Sequence, residues 1–356
     1  MNLGIIGLPA AGKKTVFRLL TGMSAEKAPT RDGLVIGTAA VRDPRIDRLS
    51  AMYQPKRTRY AEFEIAMPPD LQPDTARGAA WLEPIRRSDA LIFVVRAFAA
   101  DHVFHIKGTV DPVRDVELMF LEFLLADLDM AEKRLQRMDK ERKAKPVDNL
   151  RDREGAVVQR CYEHLHSEQS LRTLEFNDED RKLIRSLQFL TLKPWVVVLN
   201  VGEDMKEAEP RLASLVASLR AQGATVVFLS AAIELEIAEL ADDEREAFMQ
   251  DLGLSEPAAH RLSRAAYQSL GLMSFFTVGP DEVRAWPIRV GATAPEAAGR
   301  IHSDLERGFI RADTVTYEAL AAAGSEKAAR EANQFRLHGK DYIVKDGDVI
   351  EIRFNV

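Results

Sequence analysis

Apolar residues gather along this chain in short unbroken runs. Leu3–Gly7 (LGIIG), Ala90–Phe98 (ALIFVVRAF), Trp195–Asn200 (WVVVLN) and Thr225–Ser230 (TVVFLS) all lack a clean apolar–polar alternation. That pattern suits strands covered on both faces. Helical spacing lies between some of them, as at Lys13–Thr21 and Glu209–Gln222. Strands alternating with helices predict an α/β fold with a doubly wound, mostly parallel sheet. Ala61–Met67 (AEFEIAM) reads as a further strand, and DPRIDRLSAMY at 43–53 as a short helix starting after Pro44.

The pattern changes twice more. From Asp127 to about Lys182 the chain is highly charged and poor in glycine, with Leu128, Ala131, Leu135 and Met138 at three- and four-residue steps. Val157, Cys161 and Leu165 continue that spacing beyond KAKPVDN. Two long helices broken at Pro146 are expected, an antiparallel hairpin. Lys133, Arg134, Arg137, Lys140, Arg142, Lys143 and Lys145 would give it a basic face. Such a face is either simply solvated or a contact for RNA or the ribosome. Near the end, DYIVKDGDVIEIRFNV places two alternating runs about an Asp-Gly turn, a hairpin signal. GATAPEAAGRIHSDLERGF before it reads as a helix entered through Thr293–Pro295, so a small α+β domain should begin near Leu272–Ser274.

The first apolar run leads into GLPAAGKK, residues 7–14. Gly7, Gly12 and Lys13 match the phosphate loop G-x-x-x-x-G-K-[ST], and a strand before it with a helix after it is the context that motif requires. Glycines let backbone N–H groups turn in around phosphate oxygens, the helix N-terminus adds partial positive charge, and Lys13 reaches the outer phosphates. The last motif position is Lys14, where a hydroxyl would hold magnesium. A second element follows the strand at 195–200: NVGE places Asn200, Val201 and Glu203 where GTPases carry N-K-x-D to read guanine. Ser230, Ala231 and Ala232 end the next strand, where GTPases close the base pocket with backbone N–H groups.

Composition narrows the setting. A chain of 356 residues implies two or three domains. Net charge −6 gives no global pull toward nucleic acid, so any basic surface must be local. Cys161 is the only cysteine, which excludes an intrachain disulfide and suits a reducing compartment. MNLGIIGLPA has no basic segment ahead of its apolar run, so no secretory signal is expected. No apolar run reaches about 18 residues, so no membrane helix is expected and a cytoplasmic location is. The seven histidines show no metal-ligand spacing; His102 and His105 read as a loop or strand-end pair.

With GLPAAGKKTVF, DPRIDRL, SDALIFVVRAF, VDPVRDVE, LADLDMAEKRL, NVGE and SAAIELEIAEL, the chain resembles the YchF / Obg-like ATPase family of P-loop proteins. The resemblance covers nearly the whole length. It implies a P-loop G domain (1–126 and 183–272), a helical coiled-coil insert (127–182) and a β-grasp TGS domain (273–356). It further implies ATP bound in preference to GTP, nucleotide contacts at Ala10, Ala11, Gly12, Lys13, Lys14 and Thr15 and at Asn200 and Val201, and the ribosome or RNA as partner. That partner would be met by the TGS domain and the basic hairpin, with Arg284, Arg289, Arg300, Arg307 and Arg311 as a local patch or as scattered surface charge.

The departures from the family fall on catalytic positions. Gly-Lys-Ser-Thr is Gly12-Lys13-Lys14-Thr15 here; Val16 and Phe17 keep register, so Lys14 is a substitution. Thr15 lies about 100° further round the helix and does not replace the lost hydroxyl. The family's D-x-A-G segment is represented by FEIAMPPDL, with Glu64 the nearest acid and Met67-Pro68 in place of Ala-Gly. Thr30 and Thr38 lie in a stretch that does not match the family's first switch. Magnesium binding is therefore in doubt. Lys14 either supplies part of the cation's charge or points to solvent beside a decayed pocket. The expected function is nucleotide binding with weak or lost hydrolysis; the alternative is a non-enzymatic RNA- or ribosome-binding scaffold.

Overall fold

The computed structural model describes residues 2–69, 82–100, 103–144 and 149–355, with the side chains of 142–144 and 242–243 outside that description. In chain order its strands are β1 (Asn2–Ile6), β2 (Thr30–Arg31), β3 (Leu34–Val41), β4 (Arg57–Arg59), β5 (Ala61–Met67), β6 (Ala90–Arg96), β7 (Trp195–Asn200), β8 (Thr225–Leu229), β9 (Leu272–Thr277), β10 (Glu282–Arg289), β11 (Phe309–Thr316), β12 (Arg336–His338) and β13 (Asp348–Phe354). The chain divides into two compact units, Met1–Gly37 with Glu64–Ala259 and Thr38–Phe63 with His260–Val356.

A seven-stranded sheet runs β2-β3-β5-β1-β6-β7-β8. The pairs β1–β5, β1–β6, β6–β7 and β7–β8 are parallel. The central strands β6 and β7 are buried at every position, which is why their sequences show no alternation. Phe93, Phe120 and Phe123 set their rings edge-on to Trp195 of β7, at centroid distances of 6.3, 6.3 and 5.5 Å. Each such pair adds ~0.5–1.5 kcal/mol beyond area burial. This core holds the strand whose end carries Asn200.

The long helices are Pro112–Ala144 and Asn149–His166. The first begins well before Asp127, because Val116, Met119 and Phe123 on its early turns pack into the core under β6 and β7. Beyond Asp127, Ala131, Val157, Cys161 and Leu165 are buried together, with Leu128 and Leu135 packed against them. Arg134 donates to both oxygens of Glu154 at 2.7 and 2.8 Å, so the helices run antiparallel. The expected break at Pro146 lies outside the described residues.

The second unit holds a six-stranded sheet, β12-β11-β13-β9-β10-β4. The helix Ala294–Ile301 packs Ala294, Ala297 and Ala298 onto it. Glu296 accepts from Thr293 N at 2.7 Å and Thr293 Oγ1 at 2.8 Å, fixing the helix start that the sequence marks. The hairpin expected at Asp346-Gly347 does not form. A turn is present, with Asp348 N donating to Lys345 O at 3.2 Å, but Ile343 bridges to Thr293 and β13 pairs with β11 and β9.

Candidate functional site

The loop after β1 is shaped by left-handed backbone. Ala10 and Gly12 have φ of 60° and 98°, and Gly7 has φ of 150°. A Cβ at Gly7 would fall 2.3 Å from the Val94 carbonyl, and one at Gly12 2.3 Å from Asn200 Nδ2. Glycine is therefore required twice, once by the neighbouring strand and once by the base-side loop. Gly12 caps the helix Lys13–Thr21 without a side-chain hydrogen bond, leaving the first N–H groups to other partners. Lys13 is 5% exposed, and its ammonium donates to Gly7 O at 2.8 Å and Leu8 O at 2.7 Å. Ala10 is exposed, Ala11 buried and Thr15 half-buried.

Asn200 joins this loop to the next one. Its Nδ2 donates to Ala11 O at 2.9 Å and its Oδ1 accepts from Ala231 N at 3.0 Å. Ser230 caps the helix Ala231–Glu239. The predicted Asn200, Ser230 and Ala231 thus meet the Gly7–Thr15 loop. The Ala231 N–H is already engaged by Asn200, and Ala232 is exposed. Val201 is 2% exposed and Glu203 is exposed. The lysine that would cover guanine in N-K-x-D is thus a buried aliphatic group here.

Lys14 leaves the loop on its outer side. Its Nζ lies 3.1 Å from Glu26 Oε1, both side chains being mostly exposed. A hydrogen bond from the Glu26 backbone, with Lys14 beside it, holds the Glu26 carboxyl below the usual carboxylate range. Lys14 and Glu26 line a cavity of about 130 Å³ with Val35, Met67 and Pro68. Among the described residues, the hydroxyl that would hold magnesium in this motif has no replacement at its own position: the position-14 group is a cation, and Met67-Pro68 offer no side-chain oxygen. Glu64 is committed elsewhere, its Oε1 accepting from Arg31 at 2.5 Å. Glu26 was not legible as a partner, because nothing local in SAEKAP marks it.

Other candidate groups disperse. His105 is buried, its Nδ1 accepting from Lys107 N at 3.1 Å and its Nε2 donating to Asp115 at 2.9 Å, so it fastens the loop before the long helix. His102 lies outside the described residues. Among the described residues no cluster of three or more His, Cys, Asp or Glu is placed to hold a metal. On the helical hairpin Lys133 pairs with Asp129 and Arg134 with Glu154, leaving Arg137 and Lys140 as exposed cations there. The side chains of Arg142 and Lys143, and Lys145, lie outside the described residues. The five C-terminal arginines do not form one patch: Arg284 is on β10, separated from Arg311 on β11 by both β9 and β13, and Arg307 pairs with Asp304.

The family model YchF-GTPase C-terminal, described as a protein of unknown function (DUF933), matches residues 272–355. The chain is 42% identical over 360 residues to the ribosome-binding ATPase YchF of Escherichia coli O157:H7, covering 99% of each. It is 41% identical over 367 residues to the ribosome-binding ATPase YchF of Bacillus subtilis (strain 168), covering 100% of each. It also superposes on the solved Schizosaccharomyces pombe YchF GTPase with a TM-score of 0.86 at 28% identity, covering 99% of this chain and 97% of that one. Among the described residues no helix is long and apolar enough to cross a membrane.

Proposed function

The chain belongs to the YchF family of ribosome-binding ATPases, and from that premise we propose that it binds ATP in preference to GTP, hydrolyses it weakly or not at all, and works in association with the ribosome. The nucleotide part, 1–126 with 183–272, would hold phosphates on the backbone of Gly7–Thr15 and on Lys13. Asn200, Val201 and Glu203 would flank the base, with Ser230–Ala232 beside it. The insert 127–182 and the TGS domain 273–356 would serve the ribosome or RNA contact. A bound triphosphate supplies the scissile phosphoanhydride. The chain supplies an already folded loop and two ammonium groups.

The observation that carries this reading is the pair of lysines at one loop. Lys13 is held inward by the Gly7 and Leu8 carbonyls, whereas Lys14 stands on the outer rim with Glu26. Swinging from Glu26 to a phosphate would let Lys14 supply charge without an octahedral site. A lysine neutralises but does not order an attacking water, so binding would survive where hydrolysis is lost. Val201 in place of the N-K-x-D lysine, and the longer acid at Glu203, weaken the guanine-specific contacts.

Calorimetry on nucleotide-stripped protein tests this. ATP is expected to bind tighter than GTP, and chelating Mg²⁺ to change ATP affinity by less than about tenfold, that is 1.4 kcal/mol. Affinity that collapses without Mg²⁺ would mean another group holds the metal and would restore the ATPase reading. A second reading, a scaffold without nucleotide, is favoured by one feature: the Lys13 ammonium and the Ala231 N–H already have partners within the protein. Failure of both nucleotides to bind would leave that reading alone. In the nucleotide-dependent reading, Lys13→Ala should reduce ribosome co-sedimentation along with ATP binding; in the scaffold reading co-sedimentation is unchanged.

A further inference from the structure

The second unit contains a cavity of about 440 Å³ that no part of the nucleotide reading uses. That volume is within the ~300–1,000 Å³ of ligand sites. Arg57, Thr58, Arg59, Tyr60, Glu62 and Arg284 line it. Arg57 and Arg59 come from the short strand β4, which joins the exposed edge of the six-stranded sheet by pairing parallel to β10. The register sets Arg59 beside Arg284 and Arg57 beside Glu282.

This placement is electrostatically unfavourable as it stands. Like charges directly opposite on neighbouring strands destabilise a sheet. One carboxylate, Glu282, answers both members of the opposed pair, with Arg59 Nε at 2.9 Å and Arg284 Nη1 at 3.7 Å. Arg57 has no hydrogen-bond or ion-pair partner among the described residues. Three guanidinium groups thus face two carboxylates, Glu282 and the lining Glu62, and the cavity keeps a local positive excess in a chain whose net charge is −6.

Aromatic rings stand among these cations. Tyr60 lines the cavity, its hydroxyl donating to Asp47 and the Arg42 guanidinium lying 4.6 Å over its ring. Arg284 lies 3.7 Å over the Trp286 ring, and Trp286 Nε1 donates to Thr277 Oγ1 at 2.9 Å. Both rings are fixed by hydrogen bonds and carry cations on their faces. Residues two apart on a strand are separated by roughly 6.6 Å and point the same way. Arg57 and Arg59 therefore offer two parallel cations along one edge, with an aromatic residue immediately after them.

We infer that this groove binds single-stranded RNA, with Arg57, Arg59 and Arg284 on successive phosphates and a base against Tyr60. This rests on the ribosome-associated reading above and specifies the site of that contact, extending it from 273–356 to residues 57–60, which belong to the same compact unit. Guanidinium groups suit phosphates, and an aromatic residue in the groove selects an unstacked base, which a duplex does not present. An acidic peptide would use the arginines and leave Tyr60 without a role.

The test is fluorescence anisotropy of the full-length protein with a labelled, unstructured RNA of about ten nucleotides, within the site sizes of single-strand binders, repeated across salt concentrations. R57A/R59A should weaken binding at least tenfold and flatten the log affinity against log salt slope by about 1.4, two phosphates at ~0.7 each. Tyr60→Leu should weaken binding at least about fivefold with the slope unchanged, and Tyr60→Phe should restore it, since stacking one base contributes ~1–3 kcal/mol. Wild-type affinity and slope in R57A/R59A would overturn the inference, as would equal competition by a duplex of the same sequence or by a polyglutamate peptide. If the wild-type protein pellets with ribosomes but does not bind the strand, this inference alone fails. If it does neither, the ribosome-associated reading fails with it.

Discussion

Gly12→Ala is expected to abolish nucleotide binding and to lower unfolding stability by about 2–5 kcal/mol, combining left-handed strain with an unpaired buried group. Two effects converge on one atom. The backbone at Gly12 has φ of 98°, which an L side chain rarely adopts. The new Cβ would fall 2.3 Å from Asn200 Nδ2. Asn200 is 3% exposed and bridges Ala11 O to Ala231 N, so displacing it strands an acceptor and a donor in two loops. Urea denaturation reads the stability loss and calorimetry the nucleotide loss. Ala10→Gly is the internal control: Ala10 is exposed with φ of 60°, so glycine relieves strain without a clash and stability should stay within about 1 kcal/mol of wild type. Wild-type stability in Gly12→Ala would mean that the Asn200 bridge yields freely and does not organise the site.

The parts of this fold that were legible in the sequence are those decided locally. The run WVVVLN is β7 to the residue, because a strand buried at every position needs an uninterrupted apolar sequence. Asp43-Pro44 opens its helix because Asp43 Oδ1 accepts from Arg45 N at 3.0 Å and proline suits the first turn. The helix entered through Thr293–Pro295 likewise starts there, and the structure adds Glu296 as the acceptor for Thr293. The loop glycines were equally readable, since motif and strand context agree.

What was not legible depends on partners far along the chain. The Asp346-Gly347 turn forms, but Asp348 is drawn into hydrogen bonds with Lys345 N at 2.9 Å and Tyr342 OH at 2.7 Å, and Val344 enters the core. The segment before the turn is thus used for packing, and β13 finds its neighbours elsewhere. Nothing near Lys14 points to Glu26, and nothing in PKRTRY shows that Arg59 will stand beside Arg284. The basic hairpin face is partly cancelled by Glu154, on the opposite helix. Charges read along one helix leave out the acids that a second helix contributes.

Asp127→Ala is the other large expected effect, a loss of about 3–5 kcal/mol, the range for breaking one side of a buried ion pair. Asp127 is fully buried where the long helix leaves the sheet. Its Oδ1 accepts from Arg86 Nη1 at 2.9 Å and Leu190 N at 3.0 Å. Its Oδ2 accepts from Thr191 N at 2.7 Å and Thr191 Oγ1 at 2.8 Å. Removing the carboxylate leaves a 4%-exposed guanidinium with only the exposed Glu83, at 3.2 Å, as counter-charge, and two backbone N–H groups without acceptors. Leu190 and Thr191 lead into β7, so the chain entering the strand that ends at Asn200 is released at its start. Asp127→Asn keeps an oxygen for the amides and should cost less, about 1–3 kcal/mol. The double replacement R86M/D127L separates the causes by urea denaturation. If the uncompensated Arg86 charge dominates, the double variant recovers most of the stability that Asp127→Ala loses. If it stays as unstable as Asp127→Ala, the Leu190 and Thr191 amides are the source, and the carboxylate acts mainly as the anchor of β7.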